Sequence, residues 1–171
     1  SGFRVHGLDD RPSALAAAVE REVIHVPGLD PDAEVTFVAV PVLHGTGAVL
    51  RALAETTGLV TDVGSVKAPI CSAVTDRRFI GGHPMAGSER DGLDGADSHL
   101  FEGAIWVLTP DSAADDAVFA RLAGVIKTFG AEVVALDPER HDEVVAVVSH
   151  VPHLTAATLM GLADFVIERG H

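Results

Sequence analysis

Apolar positions along this chain fall into short continuous runs and longer segments where they recur every three or four residues. Residues 3–8 form a short run that reads as a strand. Residues 12–22, with Leu15, Ala16 and Val19 on one side, read as a helix that Pro12 opens without losing a needed N–H. Residues 35–42 are almost continuously apolar, the pattern of a strand buried on both faces of a parallel sheet. Residues 46–57 then read as the return helix and 59–63 as the next strand. Such alternation points to β-α-β units rather than to a sandwich or a bundle. After Gly64 glycines become frequent, and Asp91-Gly92 and Asp94-Gly95 mark turns that keep 79–103 from forming a long helix or strand. Residues 104–109 read as a strand, a helix capped by Ser112 ends near Gly130, and 132–136 form a last strand. Asp137 as N-cap and Pro138 at the first helical position open a further helix, and 154–169 are apolar with helical period. The expectation is a parallel α/β domain over residues 1–136, followed over 137–171 by the start of a helical domain whose apolar surface wants a partner.

A length of 171 residues with 47% apolar content suits one domain with a sizeable core. The formal charge of -13, with no basic stripe, argues against nucleic acid or an anionic membrane as partner. An anionic substrate would need local cationic groups. Cys71 is the single cysteine, so no intrachain disulfide forms, which fits a cytoplasmic protein. No apolar run is read as reaching the roughly 20 residues of a membrane span, and no signal pattern opens the chain.

Asp9 lies between a strand and a helix, where an acidic side chain can accept hydrogen bonds from the ribose hydroxyls of a dinucleotide. Judged locally, a plain helix cap is the commoner reading. Val40 and Pro41, at the end of the 35–42 run, and Asp62 and Gly64, at the end of the next strand, join Asp9 as cofactor-binding candidates. Ser65 follows a glycine that lets the chain approach a ligand at the carboxyl edge of the sheet, although it too could be a cap. In Gly81-Gly82-His83-Pro84-Met85-Ala86-Gly87-Ser88-Glu89, a histidine suited to proton transfer near neutral pH sits among glycines. His141, His150 and His153 could be read as metal ligands, but Pro152 interrupts the interval and no HExxH pattern is present, so no metal is expected. Arg77 and Arg78 read as solvated surface, Trp106 as core, and Lys67 either as facing the cofactor or as exposed on the next helix.

Taken in order, Asp62-Val63-Gly64-Ser65-Val66-Lys67, then Gly82 to Glu89, then Leu100-Phe101-Glu102-Gly103-Ala104, then Trp106-Val107-Leu108-Thr109-Pro110, and last Ser149-His150-Val151-Pro152-His153 resemble the prephenate and arogenate dehydrogenase family. The resemblance implies a Rossmann-like α/β fold and an all-helical dimerisation domain, with a Gly-rich turn before residue 1 and most of the helical domain outside this chain. It implies oxidation of the ring hydroxyl of prephenate or arogenate with loss of carbon dioxide. His83 would be the general base and Ser65 would bond the same hydroxyl or orient His83. Glu89, His150 and His153 would serve substrate binding. Asp9 would hold the ribose of NAD, preferred over NADP because Asp10 beside it adds a second negative charge. The complete enzyme would be a homodimer, and the chain as given would turn over weakly or not at all. The competing readings are a β-hydroxyacid dehydrogenase, disfavoured because no lysine follows Asp137, and a non-catalytic interaction module.

Overall fold

The structure is a computed structural model that describes residues 2–88, 90, 92–111 and 116–169. Strand β1 (His6–Gly7) leads through helix α1 (Pro12–Glu20) to β2 (Val26–Pro27), which lies parallel to β1 with His6 opposite Val26. The strand read over 3–8 contracts to two residues because the β2 that pairs with it is itself two residues long, and β2 carried no clear sequence signal. The second unit is β3 (Val35–Val38), α2 (Val42–Glu55) and β4 (Leu59–Asp62), again parallel, with Val35 opposite Leu59. The apolar run 35–42 is therefore split. Pro41 has no N–H to give a ladder and instead stands at the N-cap of α2.

Helix α3 (Ala68–Ala73) follows, then β5 (Gly81–Pro84), β6 (Ile105–Thr109), α4 (Asp116–Lys127) and β7 (Glu132–Ala135). The chain entering β5 runs parallel to β4 through a bridge between Val60 and Phe79, and the Ile80 N–H donates to the Val60 carbonyl at 3.1 Å. β5 pairs antiparallel with β6, and β6 pairs parallel with β7. The sheet from β3 to β7 is thus mixed where the sequence suggested parallel strands throughout. The connection explains this: residues 85–104 contain, among the described residues, one 3-10 turn (Gly92–Gly95) and no crossover helix of the kind a parallel pair needs. The helix cap assigned to Ser112 lies outside the described residues.

Side-chain alternation along the strands feeds two cores. On one face Val38, Val60 and Phe79 pack with Val49 and Leu53 of α2 and Ile70 of α3. On the other, Leu59, Ile80, Trp106 and Leu108 pack with Leu122 and Ile126 of α4. Leu59 and Val60, like Phe79 and Ile80, point to opposite faces, as the period of two requires. Trp106 is core, with its ring centroid 5.0 Å from that of Phe101 and 6.0 Å from that of Phe37.

Helix α5 (Pro138–Val145) begins where the sequence places it: the Asp137 carboxylate accepts from the N–H groups of Glu139 and Arg140 at 3.0 and 3.1 Å. It runs through a π turn (Ala146–His150) into α6 (Val151–Arg169). Pro152 gives the π turn its reason. Proline cannot donate to a carbonyl one turn back, and the ladder slips by a residue so that the Val151 N–H reaches the Ala146 carbonyl. The helical run Pro138–Leu162 is long and apolar enough, by length and composition, to cross a membrane, which corrects the expectation that no stretch reaches that size. Val147, Leu154, Leu159 and Met160 are among its exposed residues.

Candidate functional site

Asp62 ends β4 and is buried, and its carboxylate ties two segments together. Oδ2 accepts from the Gly64 N–H at 2.9 Å and pairs with the Lys67 ammonium, while Oδ1 accepts from the Gly82 N–H at 3.1 Å. The Lys67 ammonium also donates to the Gly82 carbonyl at 2.8 Å. Ser65 and His83 each stand one residue beyond a glycine held by this carboxylate. The geometry requires glycine at 82, because a Cβ there would lie 2.6 Å from the Asp62 carbonyl and 2.7 Å from the Thr61 hydroxyl. Lys67 is fully buried, contrary to the expectation of an exposed or cofactor-facing side chain. Burial pushes its pKa below the ordinary lysine value, with Asp62 pulling the other way.

His83 lies on β5, opposite Val107 of β6. Its Nδ1 is 2.9 Å from Nε2 of His141, a fully buried ring on α5, and Nδ1 of His141 is 2.8 Å from Oδ1 of Asp142. Asp142 also closes the start of α3, accepting from the Lys67 N–H at 2.8 Å and the Ala68 N–H at 2.9 Å. Burial raises the pKa of Asp142, but the Ala68 and Lys67 N–H groups and the His141 ring outweigh it, and the net effect holds this carboxyl below its ordinary value. One carboxylate therefore anchors both the loop carrying Ser65 and the ring touching His83. The sequence reading missed this role of His141 and Asp142, having weighed His141 only with His150 and His153 as a metal ligand. A helix N-cap at Asp137 fixes where α5 starts but says nothing of what its first turn touches.

The other predicted positions gather at strand ends. Asp9 follows β1 and is engaged by Arg11, whose N–H donates at 2.8 Å and whose Nε donates at 3.3 Å. First the Arg11 N–H and then its side chain hold the Asp9 carboxyl below its usual range. Val40 and Pro41 are exposed just beyond β3, and Gly64 is partly buried just beyond β4. Asp62 lies inward, with both oxygens engaged within the fold. Glu89 lies outside the described residues. The backbones of His150 and His153 belong to the π turn and α6, and their side chains lie outside the description. Arg78 is half-buried, donating to Asp76 and to the Thr56 and Leu53 carbonyls, a structural anchor rather than solvated surface.

Strands β1 to β4 with their crossover helices, and ligand candidates at the carboxyl ends of β1, β3 and β4, define a Rossmann-like α/β domain continued by helices. Residues 1–135 match the family described as "Prephenate dehydrogenase, nucleotide-binding domain", and residues 137–167 match "Prephenate dehydrogenase, dimerization domain". The chain belongs to the prephenate dehydrogenase family. It is 35% identical to a prephenate dehydrogenase of Bacillus subtilis (strain 168), over 93% of this chain and 46% of that protein. A crystal structure of prephenate dehydrogenase from A. aeolicus in complex with hydroxyphenyl propionate and NAD+ superimposes with a TM-score of 0.86 at 29% identity, covering 98% of this chain and 62% of that one. The Synechocystis arogenate dehydrogenase gives a TM-score of 0.82 at 32% identity, covering 94% and 61%. The chain thus spans about half the length of the Bacillus relative it matches.

Proposed function

We propose that this chain is the nucleotide-binding and proton-transfer part of a cytoplasmic, NAD-dependent dehydrogenase that converts prephenate to 4-hydroxyphenylpyruvate and carbon dioxide in tyrosine biosynthesis. The observation that carries the reading is the Asp62 clamp, which fixes the segments bearing Ser65 and His83 to the carboxyl end of β4. His83 takes the proton of the substrate's ring hydroxyl, and Ser65 bonds that hydroxyl or orients the imidazole. A bound nicotinamide supplies the hydride acceptor for the carbon bearing the hydroxyl. As carbon dioxide departs, the electron pair of the broken C–C bond enters the ring, and His83 returns its proton to the phenol oxygen. Glu89, His150 and His153 complete the substrate site.

The chain's residues fit a dinucleotide. The Asp9 carboxylate, held ionised, stands beyond β1, and Val40, Pro41 and Gly64 stand beyond neighbouring strands of the unit. Asp9 and Asp10 together would repel a 2′-phosphate, which favours NAD over NADP. Helix α6 belongs to the segment matching a dimerisation domain, and its exposed apolar residues support a homodimer in the complete protein.

The test is NADH formation by the full-length protein given NAD+ with prephenate or with arogenate. Turnover of prephenate with release of carbon dioxide is expected. Preference for arogenate supports the second reading, which the likeness to the Synechocystis enzyme favours, and turnover of neither contradicts both.

A further inference from the structure

Two groups stand in line behind the proposed base His83: His141 and then Asp142. We propose that Asp142 and His141 are positioning residues that fix the tautomer of His83, an inference that rests on His83 being the proton acceptor.

The donor and acceptor roles follow from one end. Asp142 is ionised at neutral pH and can only accept, and its Oδ1 is 2.8 Å from Nδ1 of His141, so that nitrogen carries the proton. In its neutral form His141 then has an unprotonated Nε2. That atom lies 2.9 Å from Nδ1 of His83 and accepts a hydrogen bond from the N–H that His83 carries there. With its proton on Nδ1, neutral His83 keeps the lone pair on Nε2, the nitrogen that receives the substrate proton. When that proton arrives, the positive charge on His83 is stabilised through His141 toward the Asp142 carboxylate. A carboxylate behind an imidazole that sets its tautomer is a recurrent arrangement wherever histidine must act as base.

The neighbourhood supports this order of protons. Among the described residues, Asp62 comes from β4, Lys67 from the loop before α3, Cys71 from α3, and His141 and Asp142 from α5; the paired stretch of β6, Trp106 to Thr109, has no ionisable side chain. Lys67 and Asp62 neutralise each other, and burial raises the Cys71 thiol, which stays protonated. Asp142 is thus the anion that meets the His141 ring. His141 is shielded from bulk water, and the carboxylate 2.8 Å from its Nδ1 is the partner that sets its tautomer.

The experiment is nitrogen NMR of the full-length protein labelled with 15N in histidine, without substrate, combined with Asp142→Ala. In the unsubstituted protein at alkaline pH, His83 and His141 should each show a protonated Nδ1 and an unprotonated Nε2. In D142A Nδ1 of His141 loses its acceptor, and the Nε2–H form of both rings should appear. The same variant should lose about 10²-fold or more in kcat with the KM for NAD+ unchanged. Asp142→Glu should keep the native tautomers and part of kcat. A proton on Nε2 of His83 in the unsubstituted protein, or unchanged tautomers in folded D142A, overturns the proposal. The tautomer readout does not depend on turnover, so loss of the dehydrogenase reading itself would be seen separately, as absence of NADH formation by the unsubstituted protein.

Discussion

Lys67 shows how a single side chain joins stability to function. Its ammonium is fully buried against Asp62 and the Gly82 carbonyl, so Lys67→Met leaves a buried carboxylate without its counter-ion. Removing one partner of such a pair costs about 3–5 kcal/mol, and denaturant unfolding should show a loss of that size. A loss below about 1 kcal/mol would mean the pair is solvated in solution. Asp142 makes a pH prediction. Its carboxyl is held below the ordinary value of about 3.9, so its stabilising effect is fully present above that pH and is lost as the pH falls through the lower, folded value. Acid unfolding followed by circular dichroism should therefore be less steep in D142N than in the unsubstituted protein, and identical acid limbs would contradict the assignment. At this scale the sequence suggested the roles proposed for His83 and Ser65, because glycines around them advertise close backbone approach. It hid Lys67, His141 and Asp142, because their roles depend on contacts across 15 to 75 positions that no local pattern encodes.

Among elements, the helices were the most legible. Pro12, and Asp137 with Pro138, marked true starts, since a cap or a missing N–H acts within one turn. Strands were harder: the apolar run 35–42 continues past Val38 into Pro41 and α2, and composition alone does not separate a buried strand from the apolar start of a helix. The antiparallel β5–β6 pairing was invisible because it depends on what the 85–104 loop does not form. Helix α6 supplies the element's own prediction. Leu159 and Met160 are 62% and 67% exposed here, within the segment matching a dimerisation domain. The double change Leu159→Lys with Met160→Glu should shift the full-length protein from dimer toward monomer in sedimentation velocity. An unchanged dimer would place the interface elsewhere.

At the scale of the whole molecule, two parallel units and a mixed sheet carry their ligand candidates to strand ends, and the long helix brings His141 and Asp142 up behind them. The α/β class and the order of the motifs could be read from alternation and spacing, while the junction between sheet and helix that builds the proposed proton path could not. The net charge of -13 gives the protein no overall attraction for an anionic substrate, so binding must rely on groups placed locally. The central claim is that His83 is the base. It is tested most directly by His83→Ala in the full-length protein, following NADH formation with prephenate and cofactor binding by fluorescence titration. The account predicts a loss in kcat of about 10²–10⁴-fold with the Kd for NAD+ within about twofold of the unsubstituted value. Turnover within a few-fold of the unsubstituted protein would contradict it.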